Sequence, residues 1–170
     1  HLEITQRLLK DPDVPRAYRD LLSAHHSAFQ LGNIVADARI ASGVGREVTH
    51  FYAYNHPITE HPWHVMLNDH PILQIPHDDR HLVFLAGYVT HLATDEAWAL
   101  KMVRPNFSLR EWEGVDRIDK FITLHLILSH IDERDEAQLD DWQSDSLAQC
   151  MPDDWLPFMS DSVLCSWRDL

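Results

Sequence analysis

In the stretch LVFLAGYVTHLATDEAW, residues 82–98, an almost wholly apolar run sets His91 and Asp95 four positions apart. On a helix four residues rise about 6 Å and return to the same face, so an imidazole and a carboxylate can aim at one point. Phe84, Leu85, Tyr88, Val89 and Leu92 make this helix apolar over most of its circumference, as expected of a buried one. An ionised carboxylate buried there is costly unless a cation or a donor lies beside it. The pair alone allows two readings: Asp95 holds His91 or a neighbouring helix in place, or both residues are ligands. Two further segments favour ligands. LGNIVADAR sets Asp37 at the end of another apolar stretch, and REVTHFYAY sets His50 between a glycine loop and aromatic residues. Two imidazoles and two carboxylates make a nitrogen and oxygen set suited to zinc or another divalent first-row ion.

The elements that must position these residues read as helical. Apolar residues recur with a helical period, and no alternating strand, internal repeat or low-complexity linker interrupts them, which predicts an all-α chain. A first helix is expected over 2–10, ended by DPDVP, and a second over about 15–30, with LGNIVADAR continuing as a helical turn to Asp37. The glycine-bearing segment 41–50 reads as a loop delivering His50 at its end. A surface helix carries Val65, Met66, Ile72 and Leu73. Asp78 or Asp79 is placed to cap a long helix over about 80–103, which Pro105 stops. Later helices are expected over 108–132, 134–149 and 153–168.

With 170 residues the chain suits one domain, 1–170, and is too short for two ordinary ones. Its 45% hydrophobic and 24% charged residues are ordinary for a soluble globular protein. Its apolar runs are broken before the roughly 18–20 residues of a membrane span. A net charge of −13 disfavours nucleic acid and anionic membrane surfaces as partners. A phosphate-bearing substrate would therefore need local positive charge, from a few arginines or from metal held by some of the thirteen histidines. Cys150 and Cys165 have neither zinc-motif spacing nor the number for a disulfide framework and read as packed thiols. Cytoplasm is favoured, while the missing initiator methionine leaves a cleaved secretory leader open.

Four segments together resemble the zinc-dependent phospholipase C family, which includes bacterial phosphatidylcholine-hydrolysing enzymes and smaller bacterial relatives. HLEITQRLL is similar to its opening helix, headed by a ligand histidine, and LGNIVADAR to its glycine-to-aspartate segment. THFY is similar to its ligand turn, and FLAGYVTHLATDEAW to its ligand helix. The resemblance covers about residues 1–105. It implies an all-α, single-domain bundle of the phospholipase C and single-strand nuclease type. It also implies that Asp37, His50, His91 and Asp95 bind one zinc, with Asp95 able to bridge to a second ion held partly by His1. The expected activity is hydrolysis of a phosphoester, either a lipid headgroup or a small diester or monoester, by a metal-activated water. Asp37, a carboxylate at the metal edge, is the candidate base.

Where that family places a further ligand histidine six residues after the bridging aspartate, this chain has Lys101. Its later His-x-x-x-Glu pair is also missing: His125 is followed at four by Ser129 and His130 by Arg134, although Glu133 lies three after His130. One or two ions are therefore expected rather than three, and a non-catalytic metal-binding protein is the alternative. His77-Asp78 is the dipeptide of the HD phosphohydrolases, but a proline precedes it and a helix cap is the simpler reading. His25 and His26 diverge by about 100° on a helix and read as surface positions. His56, His61, His64 and His70 read as solvated or as the rim of a cleft, and Trp98 as core. Arg39 and Arg46 could meet a phosphate, though loop arginines are more often solvated.

Overall fold

The computed structural model describes residues 1–53, 56–137 and 146–170. Helices α1 (Leu2–Lys10), α2 (Arg16–Ala24) and α3 (His26–Ile34) lead into a 3-10 turn, Val35–Ala38. Two short helices follow, α4 (Arg39–Ser42) and α5 (Arg46–His50), then α6 (Pro62–Asp69) and a second 3-10 turn, Pro71–Gln74. The long helix α7 (Asp79–Trp98) runs on as a π-helix, Ala99–Ser108, and is followed by α8 (Arg117–Glu136) and, near the C-terminus, α9 (Asp161–Arg168). No strand occurs among the described residues, in agreement with the all-α reading.

The core is the pairing of α3 with α7. Helix α3 is buried from Ala28 to Asn33, and α7 buries Val83, Phe84, Gly87, Tyr88, His91 and Leu92. The two backbones touch at glycines. A Cβ on Gly32 would sit 2.0 Å from the carbonyl oxygen of Phe84, and one on Gly87 would sit 2.2 Å from that of Phe29. From the C-terminal part, Leu147, Trp155, Leu156, Met159 and Leu164 join the same core. The Trp167 indole donates to the Ile34 carbonyl at 2.9 Å, and the His81 Nε2–H donates to the Trp155 carbonyl at 3.0 Å.

Several boundaries depart from the sequence reading. The expected helix over 15–30 breaks at His25, whose φ of −121° and ψ of 38° let the chain turn from the surface helix α2, with no buried residue, into the core helix α3. That turn buries His26. The expected loop over 41–50 narrows to Val44 and its two flanking glycines, because Gly43 at φ +71° ends one short helix and α5 starts at Arg46. Pro105 does not stop the long helix. The wider winding, with the Leu109 N–H donating to the Arg104 carbonyl five residues back at 2.9 Å, accommodates a residue that has no N–H, and the Asn106 side chain donates to the Met102 carbonyl.

The helix expected over 108–132 begins only at Arg117, where the Asp116 side chain caps it by accepting from the Asp119 N–H at 2.8 Å. Residues 134–137 belong to α8 or its cap, residues 146–148 are helical, and the other half of the helix expected over 134–149 lies outside the described residues. The helix expected over 153–168 starts at Asp161, because Asp154 takes a left-handed φ of 55° and Pro157 follows. The outer face of α8 leaves Ile118, Phe121, Ile122 and Leu126 exposed, an apolar stripe that the sequence reading did not single out.

Gly87→Ala should destabilise the protein by about 1–3 kcal/mol or more, because backbone rather than a flexible side chain stands in the way. Gly45→Ala, whose added carbon meets only the Glu47 carboxylate at 3.4 Å, should cost far less. Urea unfolding of the two variants measures the difference, and equal midpoints would show that the helix contact is not close.

Candidate metal centre

All five residues singled out by resemblance or residue type come together at one end of the α3/α7 pair. His91 projects from the middle of α7 with its ring fully buried, and its Nδ1–H donates to the backbone carbonyl of Asn33 at 2.8 Å. That bond leaves Nε2 as a bare lone pair facing the site. His50 ends α5, where Phe51 takes a left-handed φ of 58° and closes the helix. A non-glycine residue there costs of order 1–3 kcal/mol, and packing of Phe51 edge-on against Phe158 at 5.4 Å holds it. The Tyr88 hydroxyl donates to the Thr49 carbonyl at 2.8 Å and so ties α5 to α7.

The Thr49 hydroxyl donates to the Arg46 carbonyl at 3.4 Å and its oxygen accepts from His50 Nδ1 at 2.9 Å, so His50 also turns Nε2 inward. The two Nε2 atoms stand 3.3 Å apart. Asp37 Oδ1 lies 3.3 Å and Asp95 Oδ2 lies 3.5 Å from His50 Nε2, and Asp95 Oδ2 is 4.0 Å from His91 Nε2. His1 stacks on His91 with ring centres 4.0 Å apart and brings Nε2 to 3.4 Å from Asp95 Oδ1. The imidazoles of His50 and His91 form a dry floor. The carboxylates of Asp37 and Asp95, 33% and 20% exposed, form the rim.

These distances test whether the residues fit a zinc ion. Zinc bound tetrahedrally at about 2.0–2.1 Å from each ligand requires ligand atoms roughly 3.3–3.4 Å apart, close to the spacings found. Three donors converge in each of two overlapping groups, Asp37, His50 and His91, and His1, His91 and Asp95, and such acceptors repel one another unless a cation lies among them. Burial, reinforced by the neighbouring His1, pushes His91 down to about 4, and burial also lowers His50 against the opposing pull of Asp37. Both rings are therefore neutral near pH 7, the form that ligates metal. Burial works to raise both carboxyls. For Asp37 the hydrogen bond with His50 and the pull of His91 and His50 together outweigh it, and for Asp95 the bond with His1 together with the pull of His91, His1 and Arg46 does, so both carboxyls lie below their ordinary value and stay ionised at neutral pH.

Arg46, which the sequence offered as a possible phosphate contact and more simply as a solvated loop residue, joins the site through Asp95. Instead of lying solvated on a loop, it is 12% exposed, with Nη2 2.5 Å from Asp95 Oδ2 and 2.9 Å from the Tyr52 hydroxyl. Its helical place, four residues before His50, was the available signal. The remaining candidates lie elsewhere. Asp78 spends its carboxylate on the His81 N–H at 2.8 Å as the cap of α7, which removes the basis for an HD-type pair. His61 pairs with Glu96 at 2.9 Å, while His125 and His130 are exposed on α8. Lys101 is exposed and Trp98 half-buried, and both line an open apolar groove of about 670 Å³ between α1 and α7 together with Ile4, Leu8, Ala93 and Met102.

Two outcomes follow for the site. His91→Ala should abolish stoichiometric zinc binding; unchanged zinc content and thermal stability would remove His91 from the ligand set. In zinc-free protein the unfolded chain takes up a proton near pH 6.5 while folded His91 resists until about pH 4. Stability should therefore fall as pH drops through that window. Chelator-treated protein unfolded in urea at a series of pH values measures the slope, and His91→Gln should flatten it.

No curated protein and no solved structure matches the chain. The family model described as zinc dependent phospholipase C matches residues 1–98, more than half of the 170, and the match takes in His1, Asp37, His50, His91 and Asp95. On that match, and with an all-α fold that brings zinc-compatible donors together, the chain belongs to the zinc-dependent phospholipase C family.

Proposed function

We propose that the chain hydrolyses phosphoesters at a zinc ion held by Asp37, His50, His91 and Asp95, with a lipid phosphodiester as the leading substrate class. The observation that carries this reading is the approach of two inward Nε2 atoms to 3.3 Å, with the ionised carboxylates of Asp37 and Asp95 at 3.3 and 3.5 Å from His50 Nε2. A bound zinc supplies Lewis acidity toward a phosphoryl oxygen and makes a water more acidic. His50 and His91, locked by Thr49 and by the Asn33 carbonyl, keep the floor rigid and dry. Asp37, the most open of the donors at 33% exposed and ionised at neutral pH, is the residue to accept the proton of an attacking water.

The apolar groove between α1 and α7 supports a lipid over a nucleotide. Ile4 lies three residues from His1, and Thr94, beside Asp95, is also in its wall. An acyl chain seated there would leave its headgroup near the carboxylate rim. The net charge of −13 acts in the same direction, since it opposes long nucleic acid. The buried core shared by segments 28–92 and 147–164 supports action as one domain.

Zinc analysis of protein purified without a nickel column, followed by assays on phosphatidylcholine vesicles, a soluble aryl phosphodiester and an aryl phosphomonoester, tests the proposal. Bound zinc and hydrolysis that a chelator abolishes and added zinc restores is the expected result. Absence of both bound metal and zinc-dependent turnover would sink it, whereas bound zinc without turnover would identify a metal-binding protein. Ala93→Glu, which places charge in the groove, should lower vesicle hydrolysis at least tenfold and spare the soluble diester.

A further inference from the structure

We propose that this centre binds a single zinc per chain and that the Arg46 guanidinium occupies the role of a second cation at Asp95. The inference rests on the zinc reading above and specifies its stoichiometry. Two sets of three donors lie within reach of an ion: Asp37, His50 and His91, and His1, His91 and Asp95. They share His91. Because its Nδ1–H is committed to the Asn33 carbonyl at 2.8 Å, His91 has one lone pair to give and can serve only one ion. The two sets therefore compete for His91.

The first set is the better site. It includes both fully buried imidazoles, and Asp95 Oδ2 lies near its edge, 3.5 Å from His50 Nε2 and 4.0 Å from His91 Nε2. Once His91 is taken, the donors that remain for a second ion among the described residues of the cluster are His1 Nε2 and Asp95 Oδ1, 3.4 Å apart. Two protein donors make only a weak zinc site. The same carboxylate already carries a cation. Arg46 Nη2 is 2.5 Å from Asp95 Oδ2, and the Tyr52 hydroxyl at 2.9 Å fixes the guanidinium, which also lies 5.3 Å from the centre of the Tyr52 ring. A further dication at Asp95 would face that positive charge in a site only partly open to water. With one zinc and Arg46 against the carboxylates of Asp37 and Asp95, the centre keeps one net positive charge, which complements the monoanion of a phosphodiester.

Counting zinc per chain by plasma mass spectrometry and by calorimetric titration of the metal-free protein tests this without recourse to activity. Wild type should bind one zinc. Arg46→Met, which keeps an unbranched apolar stem but removes the charge, should bind two, the second more weakly. Arg46→Lys should return the count to one, and so should His1→Ala combined with Arg46→Met. Two zinc ions on the wild-type protein would overturn the role of Arg46 and leave the zinc reading intact, and a count of one in folded Arg46→Met would also overturn it. No zinc on the wild type would instead remove the zinc reading itself. Should Arg46→Met fail to fold by circular dichroism, Arg46→Gln carries the same comparison, and the wild-type count remains decisive.

Discussion

Helices α3 and α7 approach until backbone meets backbone, because Gly32 and Gly87 put no side chain between them. The remainder of the site is measured from that contact. It brings the Asn33 carbonyl within 2.8 Å of His91 Nδ1, and so determines which nitrogen of the ring faces the cavity. One helical turn before His91, Tyr88 reaches the Thr49 carbonyl and fixes the short helix that ends in His50. A methyl group at either glycine would push the helices apart by more than a hydrogen bond tolerates. The close approach of α3 and α7 at their glycines and the orientation of the imidazoles are thus one constraint.

Burial then dictates the electrostatics. The rings of His50 and His91 have no contact with water and stay neutral, while Asp37 and Asp95 stay ionised at the edge. Such a cluster has an excess of electron pairs and needs positive charge. Arg46 provides part of it from within the chain, and a divalent ion of the kind the family requires provides the rest. Since the whole chain carries −13, this local concentration of positive charge is what would draw an anionic phosphoester to one place on an otherwise repelling surface.

Much of this was legible before folding. Helical periodicity gave the all-α class, and the types and spacing of Asp37, His50, His91 and Asp95 marked donors for a metal, with His1 entering through resemblance to the family. The helix cap at Asp78 was also legible, because an N-cap is a local bond between a side chain and an N–H a few residues on. Boundaries were less so. The break at His25 reflects which face the core claims, and the π-helix through Pro105 reflects a winding that no residue-by-residue preference anticipates.

The sequence by itself determined the class of the fold and the chemical nature of the site, since side-chain chemistry and helical period are properties of residues and their near neighbours. Only the tertiary structure decided that Asp37 and His50 meet His91 and Asp95, that Arg46 reaches 49 positions along the chain to Asp95, and that Lys101 faces a groove instead of the metal cluster. Those relations depend on how closely α3 can approach α7 and on the direction in which the chain turns after Gly43 and at Phe51. Distances between residues far apart in sequence are set by packing the whole core, and no local pattern encodes them.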